Sequence, residues 1–235
     1  MKHQNSQPHL SNHSNKLKKI VKRVKQRLFG PTTRAKNDYA THLPILVGLA
    51  RSATVRSVLE LGCGQYSTLT FLNRDVFPDL EFLDSYETDP LWAATIKAST
   101  DTDSRLTLKL VDGPMAESLA QTNLEAYDLI LVDDSGNSDE RTKTIKTLVE
   151  RRPRRPIVVL HDFEVPAYAN VARSFRHRYS FRVFNPETGV VWENQPRKRK
   201  AFKEIGTVLK QHAGKLQPDD VPGWVEVFGS SFSAK

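Results

Sequence analysis

Two hydrophobic periods alternate along the chain. Residues 57–61, 81–87, 105–111, 127–133 and 156–160 are short apolar or alternating runs that read as strands. The fourth and fifth of these are almost continuously apolar, as expected of strands covered on both faces. Helical spacing fills the intervals, over 42–50 before the first strand, 68–74 after it, and 165–176 after the fifth. A further helix starts at Asp89-Pro90, with Asp89 as N-cap and proline at the first helical position. Another is predicted to start at a Ser138 cap, with Asp139 and Glu140 in its first turn and Ile145, Leu148 and Val149 on its buried face. The pattern then changes. Residues 179–184 and 189–192 are strand-like and only four residues apart, too few for a crossover helix, so they pair as an antiparallel hairpin. Beyond them, 201–211 reads as a helix in a polar, basic stretch, and 224–228 as one more edge strand.

Five alternating β/α units predict a parallel sheet with helices on both faces. In such a sheet a nucleotide-type ligand binds outside the carboxyl ends of the strands, where the strand order reverses. The chain divides into a tail (1–37), the α/β domain (38–193) and a C-terminal extension packed on it (194–235).

The first strand ends in Glu60-Leu61-Gly62-Cys63-Gly64 and runs into a helix at Ser67-Thr68. Gly62 and Gly64 permit a tight turn and a close approach of ligand to backbone. Glu60 stands at the strand's end, ready to bind a hydrogen-bonding group. A dinucleotide fingerprint needs glycine at 67, where this chain has Ser67.

With an acid two positions before the first glycine and a hairpin closing the sheet, residues 40–193 resemble the class I S-adenosylmethionine-dependent methyltransferases. The resemblance implies an α/β, Rossmann-like three-layer sandwich: a mostly parallel seven-stranded sheet with a C-terminal antiparallel hairpin. It implies S-adenosyl-L-methionine as cofactor, held by Glu60, Gly62, Gly64 and Ser67. The family's usual third loop glycine is Tyr66 here, and Gly64-Gln65-Tyr66-Ser67-Thr68 looks more like variants found in small-molecule methyltransferases.

The ends of the other strands supply the remaining candidates. Glu87 ends the second strand, and a carboxylate there accepts hydrogen bonds from both hydroxyls of a ribose; the resemblance makes it the ribose acid. Asp112, at the end of the third, corresponds to the family's adenine contact. Asp133, at the end of the fourth, takes the position facing the methyl group and substrate, while Asp134 suits a turn. His161 ends the fifth, and an imidazole titrating near neutrality suits a general base. Asp162 either orients His161 or joins Asp133 as a cation ligand, as in the metal-dependent O-methyltransferases. Their third ligand is an Asn at the position of Phe163, so no metal set is assigned. His42, before the first strand, is close enough in sequence to reach the cleft.

Charge is uneven. The formal net charge is +8, and ten of the 35 Lys and Arg lie in residues 1–37, before the first acid, Asp38. Beyond that point acids and bases nearly balance, so the high pI belongs to the tail. Leu17, Ile20, Val21, Val24 and Leu28 form one face of a basic amphipathic helix. Its residues 16–28 suit an anionic membrane surface, a nucleic acid, or capping of the domain. No apolar run approaches the ~20 residues of a membrane span. Cys63 is the only cysteine, which excludes an internal disulfide. The N-terminus does not read as a secretory signal, and the expected location is the cytoplasm, with peripheral membrane attachment open to the tail.

Three functions follow: methyl transfer to a small molecule, glycan or lipid head group; methyl transfer to nucleic acid or protein; and a binding protein that has the fold without the transfer.

Overall fold

The computed structural model describes residues 35–100, 102–194 and 198–232. The amphipathic segment 16–28 lies outside them. Seven strands form one sheet: β1 (Ser57–Leu61), β2 (Phe82–Glu87), β3 (Leu106–Leu110), β4 (Leu129–Val132), β5 (Ile157–Leu160), β6 (His177–Phe181) and β7 (Thr188–Trp192). Their order is β3-β2-β1-β4-β5-β7-β6. The first five are mutually parallel, and β7 runs antiparallel to both β5 and β6. This is the predicted α/β sheet with its closing hairpin. Strand order reverses between β1 and β4, so the loops leaving these two strands diverge and open a crevice.

Alternation along each strand builds the two faces. Leu129 and Leu131 of β4, with Ile157 and Val159 of β5, join one apolar cluster. Ile130, Val132, Val158 and Leu160 join the other. The first cluster is covered by α1 (Leu43–Ser52), α2 (Ser67–Leu72), α7 (Lys198–His212) and α8 (Val221–Phe232). The second is covered by α4 (Met115–Gln121), α5 (Ser138–Arg151) and α6 (Pro166–Ala172). Between β2 and β3 runs α3 (Pro90–Thr100).

Two local expectations are corrected. Residues 224–228 belong to α8, not to an edge strand. The apolar positions that matter are four apart: Trp224 and Phe228 are both fully buried, on the same side of a helix laid against α1. Burying Phe228 contributes roughly 1.5–3 kcal/mol. Gly48 lets α1 come this close, since a Cβ there would stand 2.8 Å from Ile205 Cγ2 and 3.0 Å from Phe228 Cζ. Ser138 does not cap α5. Asn137 does, its side chain accepting from Asp139 N at 2.9 Å while its own N–H donates to Ser135 Oγ. Asp89 caps as expected, accepting from Leu91 N and Trp92 N. Several ends also move: α6 stops at Ala172 and β6 begins at His177.

Candidate functional site

A cleft of about 980 Å³ opens at the carboxyl ends of β1, β2, β4 and β5. Gly62, Gly64, Ser67, Glu87, Asp133 and His161 all line it, so six of the eight residues singled out from sequence meet in one place. Glu60 and Asp112 are not on its wall.

The wall at β1 and β2 is made of backbone. Gly62 has φ +87°, and its N–H donates to Tyr86 O at 2.8 Å. A Cβ on it would stand 2.3 Å from the carbonyl oxygen of Asp133, so only glycine fits. Glu60 lies behind this turn, fully buried, and accepts from Thr68 Oγ1 (2.7 Å) and Ser85 Oγ. Thr68 Oγ1 in turn accepts from Gly64 N at 3.0 Å. Through Oε2 Glu60 therefore braces the loop from within, while its Oε1 has no hydrogen-bond partner among the described residues. Burial raises its carboxyl to about 7, against the opposing bonds from Ser67, Ser85 and Thr68.

Glu87 is aimed into the cleft. Its Oε1 accepts from Thr88 N (2.7 Å) and Asp89 N (2.9 Å). Its Oε2 meets only the thiol of Cys63, at 3.6 Å. The carboxylate is thus fixed by one oxygen and keeps acceptor capacity on the other. Cys63 itself is no reactive thiol, because burial and the Glu87 carboxylate push its pKa up. Trp92 Nε1 donates to Cys63 O at 2.6 Å and pins the loop from the α3 side. Tyr66, in the third-glycine position, packs its ring against the first apolar cluster and leaves the cleft open. Asp112 is exposed on the far side of Val111, and the structure does not bring it to the others.

The wall at β4 and β5 is made of side chains. Arg141, one turn into α5 and almost wholly buried, reaches Asp133 Oδ1 through Nη2 and Asp162 Oδ2 through Nη1, each at 2.8 Å. The guanidinium therefore bridges the two carboxylates that the metal-dependent resemblance pairs on a cation. Asp134 turns away to accept from Thr144 Oγ1 at 2.6 Å. Asp162 holds a left-handed φ of +54°, a sparsely populated conformation for a side-chain-bearing residue.

His161 is engaged at both ring nitrogens. Nδ1 lies 3.2 Å from Asp133 Oδ2, and Nε2 lies 2.9 Å from Thr41 Oγ1. Burial alone would lower its pKa, but Asp133 outweighs that and raises it. Burial likewise opposes the Asp133 carboxylate, and His161 with Arg141 holds it below the usual range. His42 stacks edge-on against His161, ring centroids 4.8 Å apart, and neither of its ring nitrogens has a hydrogen-bond partner among the described residues. Burial lowers its pKa to about 3, so it is neutral. Arg141, Thr41 and Trp92 were not among the sequence candidates. No motif marks them: Thr41 reaches His161 across 120 residues, and Arg141 and Trp92, although on the helices that directly follow β4 and β2, carry no local signal that they turn inward.

No family model matches the sequence, and no curated protein sequence matches it. Solved structures do. Human methyltransferase-like protein 13 in complex with S-adenosylhomocysteine superposes with a TM-score of 0.51 at 19% identity, over 77% of this chain and 93% of that one. A spermidine synthase bound to a transition-state analogue gives 0.51 at 15% identity, over 81% and 75%. An O-methyltransferase family protein from Burkholderia thailandensis gives 0.48 at 13% identity over 80% of this chain, which spans 61% of its length. The chain has the class I methyltransferase fold. That fold also carries the spermidine synthase, so it does not by itself fix the group transferred.

Proposed function

We propose that this protein is an S-adenosylmethionine-dependent methyltransferase acting on a hydroxyl or amine of a small molecule, glycan or lipid head group. One observation carries the reading: the Gly62–Gly64 turn and the half-satisfied Glu87 carboxylate share a cleft of about 980 Å³, at the upper end of ligand-pocket sizes and roomy enough for a cofactor and an acceptor together.

Gly62, Gly64 and Ser67 cup the methionine part of the cofactor, and Glu87 Oε2 accepts from the ribose hydroxyls. The cofactor brings the reactive methyl group and its leaving group, so the chain's task is to align an acceptor and exclude water. Asp133 and His161 serve the acceptor side. Asp133, its side chain a quarter exposed, orients the acceptor, and the coupled Asp133–His161 pair receives the proton it gives up.

Calorimetry with S-adenosylhomocysteine tests the cofactor assignment. Binding is expected, weakened at least about tenfold by Glu87→Ala, which loses a charge-assisted hydrogen bond. No heat and no thermal shift with the wild-type protein at millimolar ligand overturns the reading.

A further inference from the structure

We propose that His42, His161 and Asp133 form a binding site for a divalent transition-metal ion of the zinc type, open to the cleft on its fourth side. One ligand atom from each residue, a ring nitrogen or a carboxylate oxygen, lies within 4.8 Å of the other two. A tetrahedral ion holding ligands at ~2.0–2.1 Å sets them about 3.4 Å apart. The 3.2 Å between His161 Nδ1 and Asp133 Oδ2 already matches that edge. Only His42 has to close in.

His42 is the independent observation. It is 1% exposed, yet neither ring nitrogen has a partner among the described residues. Buried polar atoms are almost always bonded, and an orphaned one costs about 1–3 kcal/mol. A metal ion gives this imidazole the partner it lacks.

The surroundings match an outer shell around such an ion. A ligating histidine donates its other N–H to a fixed acceptor, and His161 Nε2 faces Thr41 Oγ1 at 2.9 Å, which leaves Nδ1 as the lone pair. Ligating carboxylates are themselves hydrogen-bonded, and Arg141 holds Asp133 Oδ1 while Oδ2 meets His161 Nδ1, a contact whose proton a bound ion would displace, taking the place of the direct pair. Asp162 balances the Arg141 charge. Two imidazoles and one carboxylate select a borderline ion such as Zn²⁺ or Co²⁺ over Mg²⁺ or Ca²⁺. This set differs from a paired-carboxylate site, which Arg141 occludes. Because His42, Asp133 and His161 all line the cleft, a bound ion would meet an oxygen or nitrogen of the acceptor in its open position. Metal binding is measured without any methyl donor, so this inference and the transferase reading fail separately.

The test uses the full chain, stripped with a chelator and titrated with Co²⁺ and Zn²⁺. One equivalent of Co²⁺ should give the visible bands of a four- or five-coordinate N/O site, bleached by Zn²⁺, and Zn²⁺ should raise the melting temperature. His42→Phe keeps an aromatic ring, slightly larger, in place of one whose nitrogens are unbonded, and should fold while binding at least about 100-fold more weakly. Thr41→Val should weaken binding by about 10–100-fold. Should His42→Phe fail to fold, Asp133→Asn takes its place. The tail's His3, His9 and His13 remain in every variant. Equal binding by the wild type and the folded variant would therefore assign the metal to the tail and overturn the proposal. So would an absence of Co²⁺ bands in the wild type.

Discussion

The two walls of the cleft are built by opposite means. At the ends of β1 and β2 the chain presents backbone, shaped by Gly62 and braced from behind by a buried Glu60. At the ends of β4 and β5 it presents side chains, with Asp133, Asp162 and His161 arranged around Arg141. A wall built mainly of backbone should tolerate change away from Gly62 and from Glu87, the one charged side chain aimed in from it. A side-chain wall can be re-equipped residue by residue, and that is where one acceptor is told from another. Glu87 apart, the first wall should therefore respond to steric insult and the second to loss of charge.

Gly62→Ala should produce the largest effect. The new Cβ meets a carbonyl oxygen at 2.3 Å in a left-handed backbone, and neither can yield without moving β1 against β4. A loss of about 5 kcal/mol is expected, lowering the melting temperature by roughly 10–20 °C and abolishing adenosyl binding. Gly136→Ala, where an added Cβ meets nothing within 4 Å, should stay within about 0.5 kcal/mol and serves as the control.

Arg141→Met strikes the other wall. It removes the cation from between Asp133 and Asp162 and leaves buried charge uncompensated, at a cost of about 4 kcal/mol by chemical denaturation. Affinity for S-adenosylhomocysteine in the protein that remains folded should change by less than about threefold. A large loss of affinity would mean that the two walls act as one.

The contrast also explains what the sequence could tell. The first wall was legible because a left-handed turn between a strand and a helix demands glycine, and Gly62 therefore leaves a mark in the sequence. Strand ends were legible for Glu87, Asp133 and His161, because alternation fixes where each strand stops. Glu60 was found, but its part as a brace was not. Its place beside the glycines reads as a ligand contact, and only the packing of Thr68 and Ser85 around it reveals a brace. The second wall was only half legible. Thr41 and His161 are 120 residues apart, and nothing local tells Arg141 from the other arginines of a polar helix. The run 224–228 misled for another reason: Trp224 and Phe228 satisfy alternation and helical spacing equally, and the face of α1 decides between them.

Glu60→Gln sharpens the view of the brace. With its pKa raised by burial to about 7 in the folded protein, against 4.5 for an ordinary glutamate, the folded protein holds this proton more tightly than the unfolded chain does. The stabilisation is fully present below about pH 4.5 and is lost as pH rises through 7, about 3 kcal/mol in all. The isosteric amide carries no such proton. Urea titrations at pH 4.5 and 7.5 should show the wild type losing on the order of 3 kcal/mol more than the variant over that interval. Parallel curves for the two proteins would place the charge elsewhere.

The smallest effect tests whether the backbone wall needs its one side-chain clamp. Trp92 is partly exposed, and its Nε1–H donates to Cys63 O at 2.6 Å, joining α3 to the middle of the glycine turn. Trp92→Phe keeps an aromatic ring and deletes the donor. A neutral hydrogen bond is worth only about 1 kcal/mol net, so the expected loss is of that size, or roughly 2–4 °C in melting temperature. Because the bond holds the loop proposed to cup the cofactor, the same 1 kcal/mol should appear as an affinity for S-adenosylhomocysteine about fivefold weaker. That exceeds the change expected for Arg141→Met, although the stability cost is several times smaller. If the order of the two affinities is reversed, cofactor binding depends on the charged wall, and the division of labour between the two sides of the cleft fails.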